Sequence, residues 1–65
     1  MNDDKIQGQW RQLSGKLKEK WGKLTDDDLK AAEGNSEYLA GKLQERYGVA
    51  REEAEWQIRE FDRNL

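Results

Sequence analysis

Leu13-Ser-Gly-Lys-Leu-Lys-Glu-Lys-Trp-Gly22 and Leu39-Ala-Gly-Lys-Leu-Gln-Glu-Arg-Tyr-Gly48 decide how this chain is read. The two stretches lie 26 residues apart and agree at six of ten positions; the remaining four exchange Ser for Ala, Lys for Gln, Lys for Arg and Trp for Tyr. The glycines keep the same rhythm, as Gly8, Gly15, Gly22 and then Gly34, Gly41, Gly48. An acidic helix start follows each copy, Asp26-Asp27-Asp28 in the first and Glu52-Glu53 in the second. Self-similarity at a fixed offset marks a repeated supersecondary unit. It predicts two duplicated helix–turn–helix units, about 8–32 and 34–58. Two units are too few for an open solenoid, so they are expected to pack on each other as one compact all-α domain spanning 1–65.

Around the quoted stretches the apolar residues step at helical spacing. Ile6, Trp10, Leu13, Leu17 and Trp21 form one face, the signature of an amphipathic helix. Leu39, Leu43 and Tyr47 form a second, and Ala54, Ile58, Phe61 and Leu65 a third. Thr25 with Asp28 reads as a capping box, flanked by Leu24 and Leu29 as a hydrophobic staple, and Asn35 or Ser36 caps the next helix. Helices are therefore expected near 3–21, 25–33, 35–47 and 50–63. Glycine favours the left-handed conformation that closes helices, so Gly22, Gly34 and Gly48 read as the stops. Glycine inside a helix costs up to about 1 kcal/mol relative to alanine. Gly8, Gly15 and Gly41 therefore call for a reason, either close approach of a neighbouring helix or helices kept marginal, and close approach is the reading adopted.

These glycine-punctuated segments, with Trp21-Gly-Lys-Leu-Thr-Asp-Asp-Asp28 between them, resemble the CsbD-like family of small bacterial stress-response proteins from about Ile6 to Phe61. The resemblance implies a four-helix arrangement and a link to general or osmotic stress. It carries over no catalytic residue and no activity. Ala50 departs from a comfortable pattern, since a capping Ser would suit the position before Arg51-Glu-Glu53.

Composition narrows the chemistry. With 65 residues, 34% hydrophobic and 40% charged, and a mean hydropathy of −1.28, the margin of stability is expected to be a few kcal/mol. There is no Cys and no His, which removes thiolate sites and the commonest general base. No run is apolar enough for a signal segment or a membrane span, so a cytoplasmic location is expected. The Asp26-Asp27-Asp28 run lacks the alternating ligands of a calcium loop; the helix dipole and the capping box explain it. Gly15-Lys16 and Gly41-Lys42 lack the strand, spacing and Ser/Thr of a phosphate loop. No metal, cofactor or small-molecule substrate is expected, and no enzymatic activity.

Charge is uneven along the chain. Residues 1–24 hold six basic groups against three acidic ones, and residues 25–65 hold six against eleven. The halves are expected to attract each other or those of a neighbouring molecule, although charges solvating helix faces is the simpler account. Arg11 and Lys18 form one basic edge of the first helix, and Lys5, Lys16, Lys20 and Lys23 another. With Trp56, which falls off the apolar stripe of the last helix, Arg11, Lys16, Lys18, Lys20 and Lys23 are the candidate interaction surface. Such a surface suits one of three uses: a stress-associated accessory protein, a weak nucleic-acid binder, or a membrane-surface helix. The acidic total weighs against nucleic acid, and the need for the apolar stripe in the core weighs against a membrane. The sequence names no partner and fixes no oligomeric state.

Overall fold

A computed structural model describes residues 8–33 and 35–65. Lys5, Ile6 and Gly34, to which the sequence assigns roles, lie outside the described residues, as does the expected helix start at residue 3. Four helices are present among the described residues: α1 (Trp10–Lys20), α2 (Asp26–Ala32), α3 (Ser36–Tyr47) and α4 (Arg51–Arg63). The protein is all-α, with principal extents of 26 × 23 × 17 Å.

The helix starts follow local chemistry. At α2, Asp28 N–H donates to Thr25 Oγ1 at 3.1 Å and Thr25 N–H donates back to Asp28 Oδ2 at 3.1 Å, completing the capping box. Asn35, rather than Ser36, caps α3, accepting from the Glu37 and Tyr38 amides through Oδ1. Ala50 supplies no side-chain cap to α4. Among the described residues α1 begins after Gln9, whose φ of −119° and ψ of 20° are not helical, and no side chain caps it there.

The glycine stops are corrected in part. Gly48 does close α3 at φ 68°. Gly22 does not sit in the left-handed region; α1 ends instead through Trp21, whose amide donates to Leu17 O, and the chain turns through a Leu24 N–H bond to Trp21 O. The residue that closes α2 is Glu33, left-handed at φ 45° with its amide bonded to Leu29 O. A short helix held at its start by a capping box and at its end by packed Leu29 and Ala32 imposes that conformation on a non-glycine residue.

The in-helix glycines are corrected too. A Cβ added at Gly8, Gly15 or Gly41 would meet nothing within 4 Å, so no neighbouring helix approaches there and marginal helices are the reason that is left. Removing the backbone freedom of glycine inside a helix stabilises it by up to about 1 kcal/mol. Gly15→Ala and Gly41→Ala should therefore each raise the melting temperature by at most about 4–8 °C, measured by circular dichroism. A fall would show that a contact, not open space, holds the position.

The core gathers Leu13 and Leu17 from α1, Trp21 and Leu24 from the connection, Leu29 from α2, Leu39, Ala40 and Leu43 from α3, and Ala54 and Ile58 from α4. Leu17 and Ile58 are wholly buried and Leu43 is 1% exposed. Trp10, Tyr47, Val49, Phe61 and Leu65 pack against its edge half-buried. The staple pair Leu24 and Leu29 belongs to the cluster.

The connection from α1 to α2 is the hub of the fold. Trp21 Nε1 donates to Gln57 Oε1 at 2.9 Å and its ring meets Phe61 at 5.4 Å between centroids, which ties the hub to α4. The Lys23 amide donates to Tyr47 Oη at 3.0 Å, which ties it to the end of α3. Trp10 Nε1 donates to Leu29 O at 3.2 Å and closes α1 onto α2. Aromatic side chains thus use an apolar body for burial and a polar tip for orientation.

Candidate interaction surface

Asp28 is the one buried acidic side chain among the described residues. Its Oδ2 accepts from Arg46 Nε at 3.1 Å as well as from the Thr25 amide, its Oδ1 accepts from Arg46 Nη2 at 3.2 Å, and Lys42 Nζ lies 3.8 Å from Oδ1. The hydrogen bond from Arg46 and that from the Thr25 backbone outweigh burial and lower its pKa to about 2. Arg46 is raised in turn by Asp28, and Lys42 is raised by Glu45 at 3.1 Å. Asp28 thus caps α2 through Thr25 and joins it to α3 through Arg46. The rest of the triple aspartate is superficial, with Asp26 paired to Lys18 at 2.8 Å and Asp27 exposed. Among the described residues no three His, Cys, Asp or Glu side chains gather in a metal-binding group.

The depressed pKa gives the protein a pH dependence. A carboxyl held below its unfolded value contributes stability above the unfolded pKa, 3.8 for Asp28, and loses that contribution as pH falls toward the folded value. Arg46 is partly open to solvent, which screens the pair, so Asp28→Asn should cost about 1–2 kcal/mol at neutral pH. Thermal melts from pH 7 to pH 1 should show the wild-type advantage over Asp28→Asn shrinking progressively between about pH 5 and pH 1. An advantage undiminished at pH 2 would contradict this assignment.

The candidate surface residues do not form one patch. Arg11 is exposed and borders a shallow hollow with Trp10 and Glu33. Lys18 is committed to Asp26, and Lys23 lies over the Tyr47 ring, 5.2 Å from its centroid. Lys16 and Lys20, by contrast, are brought together one turn apart on the rim of an open hollow of about 280 Å³ completed by Glu60, Phe61, Asn64 and Leu65 of the α4 region. Trp56 is 56% exposed, more than any other large apolar side chain described, and neighbours Arg59, Glu60 and Arg63. Glu60 borders both surroundings, while Trp56 points away from the face of α4 that carries Phe61 and Leu65. The periodicity supplies Lys16 and Lys20 as exposed cations; that Phe61 and Leu65 floor a hollow beside them is not legible in it, because it assigns both wholly to the core. Tyr38, 41% exposed with Lys42 Nζ 5.7 Å from its ring centroid, was missed. Its place next to Leu39 on the stripe of α3 is the only signal that pointed to it.

The description of CsbD-like proteins matches residues 4–55. This chain belongs to the CsbD-like family. It is 62% identical over 65 residues to UPF0337 protein PA4738 of Pseudomonas aeruginosa, covering the whole of both chains. It is 60% identical over 65 residues to UPF0337 protein XAC4007 of Xanthomonas axonopodis pv. citri, covering all of this chain and 94% of the relative. It is 48% identical over 62 residues to UPF0337 protein YjbJ of Salmonella typhimurium, covering 95% of this chain and 89% of the relative. These CsbD-like relatives are bacterial, and their names specify no activity or ligand, so function rests on the surface itself. No helix among the described residues of this CsbD-like chain is long and apolar enough to cross a membrane.

Proposed function

We propose that this CsbD-like protein is a non-enzymatic, cytoplasmic accessory protein of the general or osmotic stress response, acting through its hydrophilic surface. One observation carries the non-catalytic reading: the buried carboxylate Asp28 is fully engaged by Thr25 and Arg46. A general acid or base needs a group free to exchange a proton near neutral pH, and a carboxyl held at about 2 by structural partners is a poor one. The charge-rich exterior suits a chain that stays dissolved at high concentration. The same reading takes the chain as one domain built from two related units, 8–32 and 34–58; the burial of Leu17 and Leu43 at equivalent positions supports it. The alternative of a weak nucleic-acid or membrane-surface accessory built on the basic first helix is less favoured. Two of its cations, Lys18 and Lys23, are engaged within the molecule.

The test is survival after osmotic upshift of a strain lacking the gene. Survival should fall, return with the wild-type gene and fail to return with a core-disrupted Leu17→Ala copy. Equal survival of deleted and parent strains across osmotic, heat and stationary-phase challenge would overturn the stress assignment. Purified protein should show no retained binding to a duplex at physiological salt, since weak phosphate contacts are lost steeply as salt rises. Tight binding there would favour the nucleic-acid reading.

A further inference from the structure

The solvent face of α4 carries a stripe of four side chains, and we propose that it is a docking surface for an antiparallel helix bearing the same stripe, supplied by a second copy of this chain. The hollow beside Lys16 and Lys20 takes no part, and the inference is independent of the stress reading.

Spacing and exposure define the same stripe. Glu52, Trp56, Arg59 and Arg63 step by 4, 3 and 4. At about 100° per residue they fall within roughly 60° of one another, on the side of α4 opposite Ala54, Ile58, Phe61 and Leu65. Glu52 is exposed, and between Glu53 and Asn64 only Trp56, Arg59 and Arg63 are exposed. A 4-3-4 spacing reads the same in both directions. An antiparallel copy therefore sets Glu52 against Arg63 of the second copy and Trp56 against Arg59 of the second copy, and each of these pairs recurs about a two-fold axis level with Gln57 and Ile58. Such reciprocity is what an isologous contact requires.

Chemistry selects this direction. Each layer joins unlike groups, carboxylate to guanidinium and guanidinium to the face of an indole, the second a cation–π contact. A parallel copy would set Glu52 on Glu52, Arg59 on Arg59 and Arg63 on Arg63, and like charges across an interface disfavour it. Glu52 and Arg59 form no ion pair among the described residues. Three acids beside the stripe are engaged on their own helix: Glu53 accepts from Gln57, Glu55 from Arg51 and Glu60 from Arg63. Arg63 uses Nη2 for Glu60 and keeps further N–H donors for Glu52 of the second copy. Tryptophan is a common energetic anchor of interfaces. A contact about three turns long, flanked by acids in both copies, buries less than the roughly 1,200 Å² of stable pairs, so the association is reversible and concentration-dependent.

Sedimentation velocity up to about 1 mM protein, where a millimolar pair is substantially associated, should show the mass rising from 7.7 kDa toward twice that value. Trp56→Ala should remain monomeric at every concentration, with the helical circular dichroism of the parent. Glu52→Arg and Arg63→Glu should each weaken association several-fold, and the double exchange should restore it, because the pair is only reversed. Lys16→Gln, away from the stripe, should leave association unchanged. A monomer throughout would overturn the proposal. So would a dimer that survives Trp56→Ala, one that Lys16→Gln abolishes, or one that the double exchange fails to restore.

Discussion

Leu17→Ala should leave a substantial fraction of the protein unfolded at room temperature. Leu17 is wholly buried at the centre of α1, within a core that draws on all four helices. Deleting its branched end removes apolar burial and leaves a cavity, together about 2–5 kcal/mol. A chain of 65 residues holds only a few kcal/mol in reserve. The melting temperature should drop by roughly 10 °C or more, and Leu43→Ala, at the equivalent place on α3, should behave alike. Circular dichroism melts check both. A Leu17→Ala melt that overlays the parent would show that the α1 stripe does not face the core.

Trp21→Ala should be as damaging, at about 3–5 kcal/mol, for a different combination of reasons. Trp21 is 3% exposed, lies against Phe61, and donates to Gln57. Its loss opens a cavity and cuts the ties between the α1–α2 connection and α4. The hydrogen bond alone is worth about 1 kcal/mol, since part-exposed Gln57 regains water. Trp21→Phe should therefore cost much less than Trp21→Ala in urea titrations. Equal costs would make the hydrogen bond, not the packing, the anchor of α4.

Much of this was legible from local pattern. Helical periodicity needs only the spacing of apolar residues, and it placed Leu13, Leu17, Leu39, Leu43, Ala54 and Ile58 in the core where they are found. The capping box at Thr25 and Asp28 is legible because both its hydrogen bonds close within four residues. The exposure of Trp56 follows from its angle to Ile58 around one helix. The glycines misled where local propensity met tertiary demand. Gly22 was free to turn left-handed and did not, whereas Glu33 did so under the hold of packed neighbours.

The helical class, the positions of the connections and the face each helix buries are thus consequences of interactions within a few residues, and apolar spacing with local capping is enough to read them. Which polar tips reach across depends instead on the docking of the helices. Trp21 and Tyr47 hold equivalent sequence positions, yet Trp21 is buried against α4 while Tyr47 stays half-buried and accepts from the Lys23 amide. Arg46 reaches Asp28 across 18 positions of chain, and Lys16 with Lys20 meets Phe61 and Leu65 across more than forty. Periodicity records a residue's angle around its own helix but not which neighbour stands opposite, because that is set by how the helices dock.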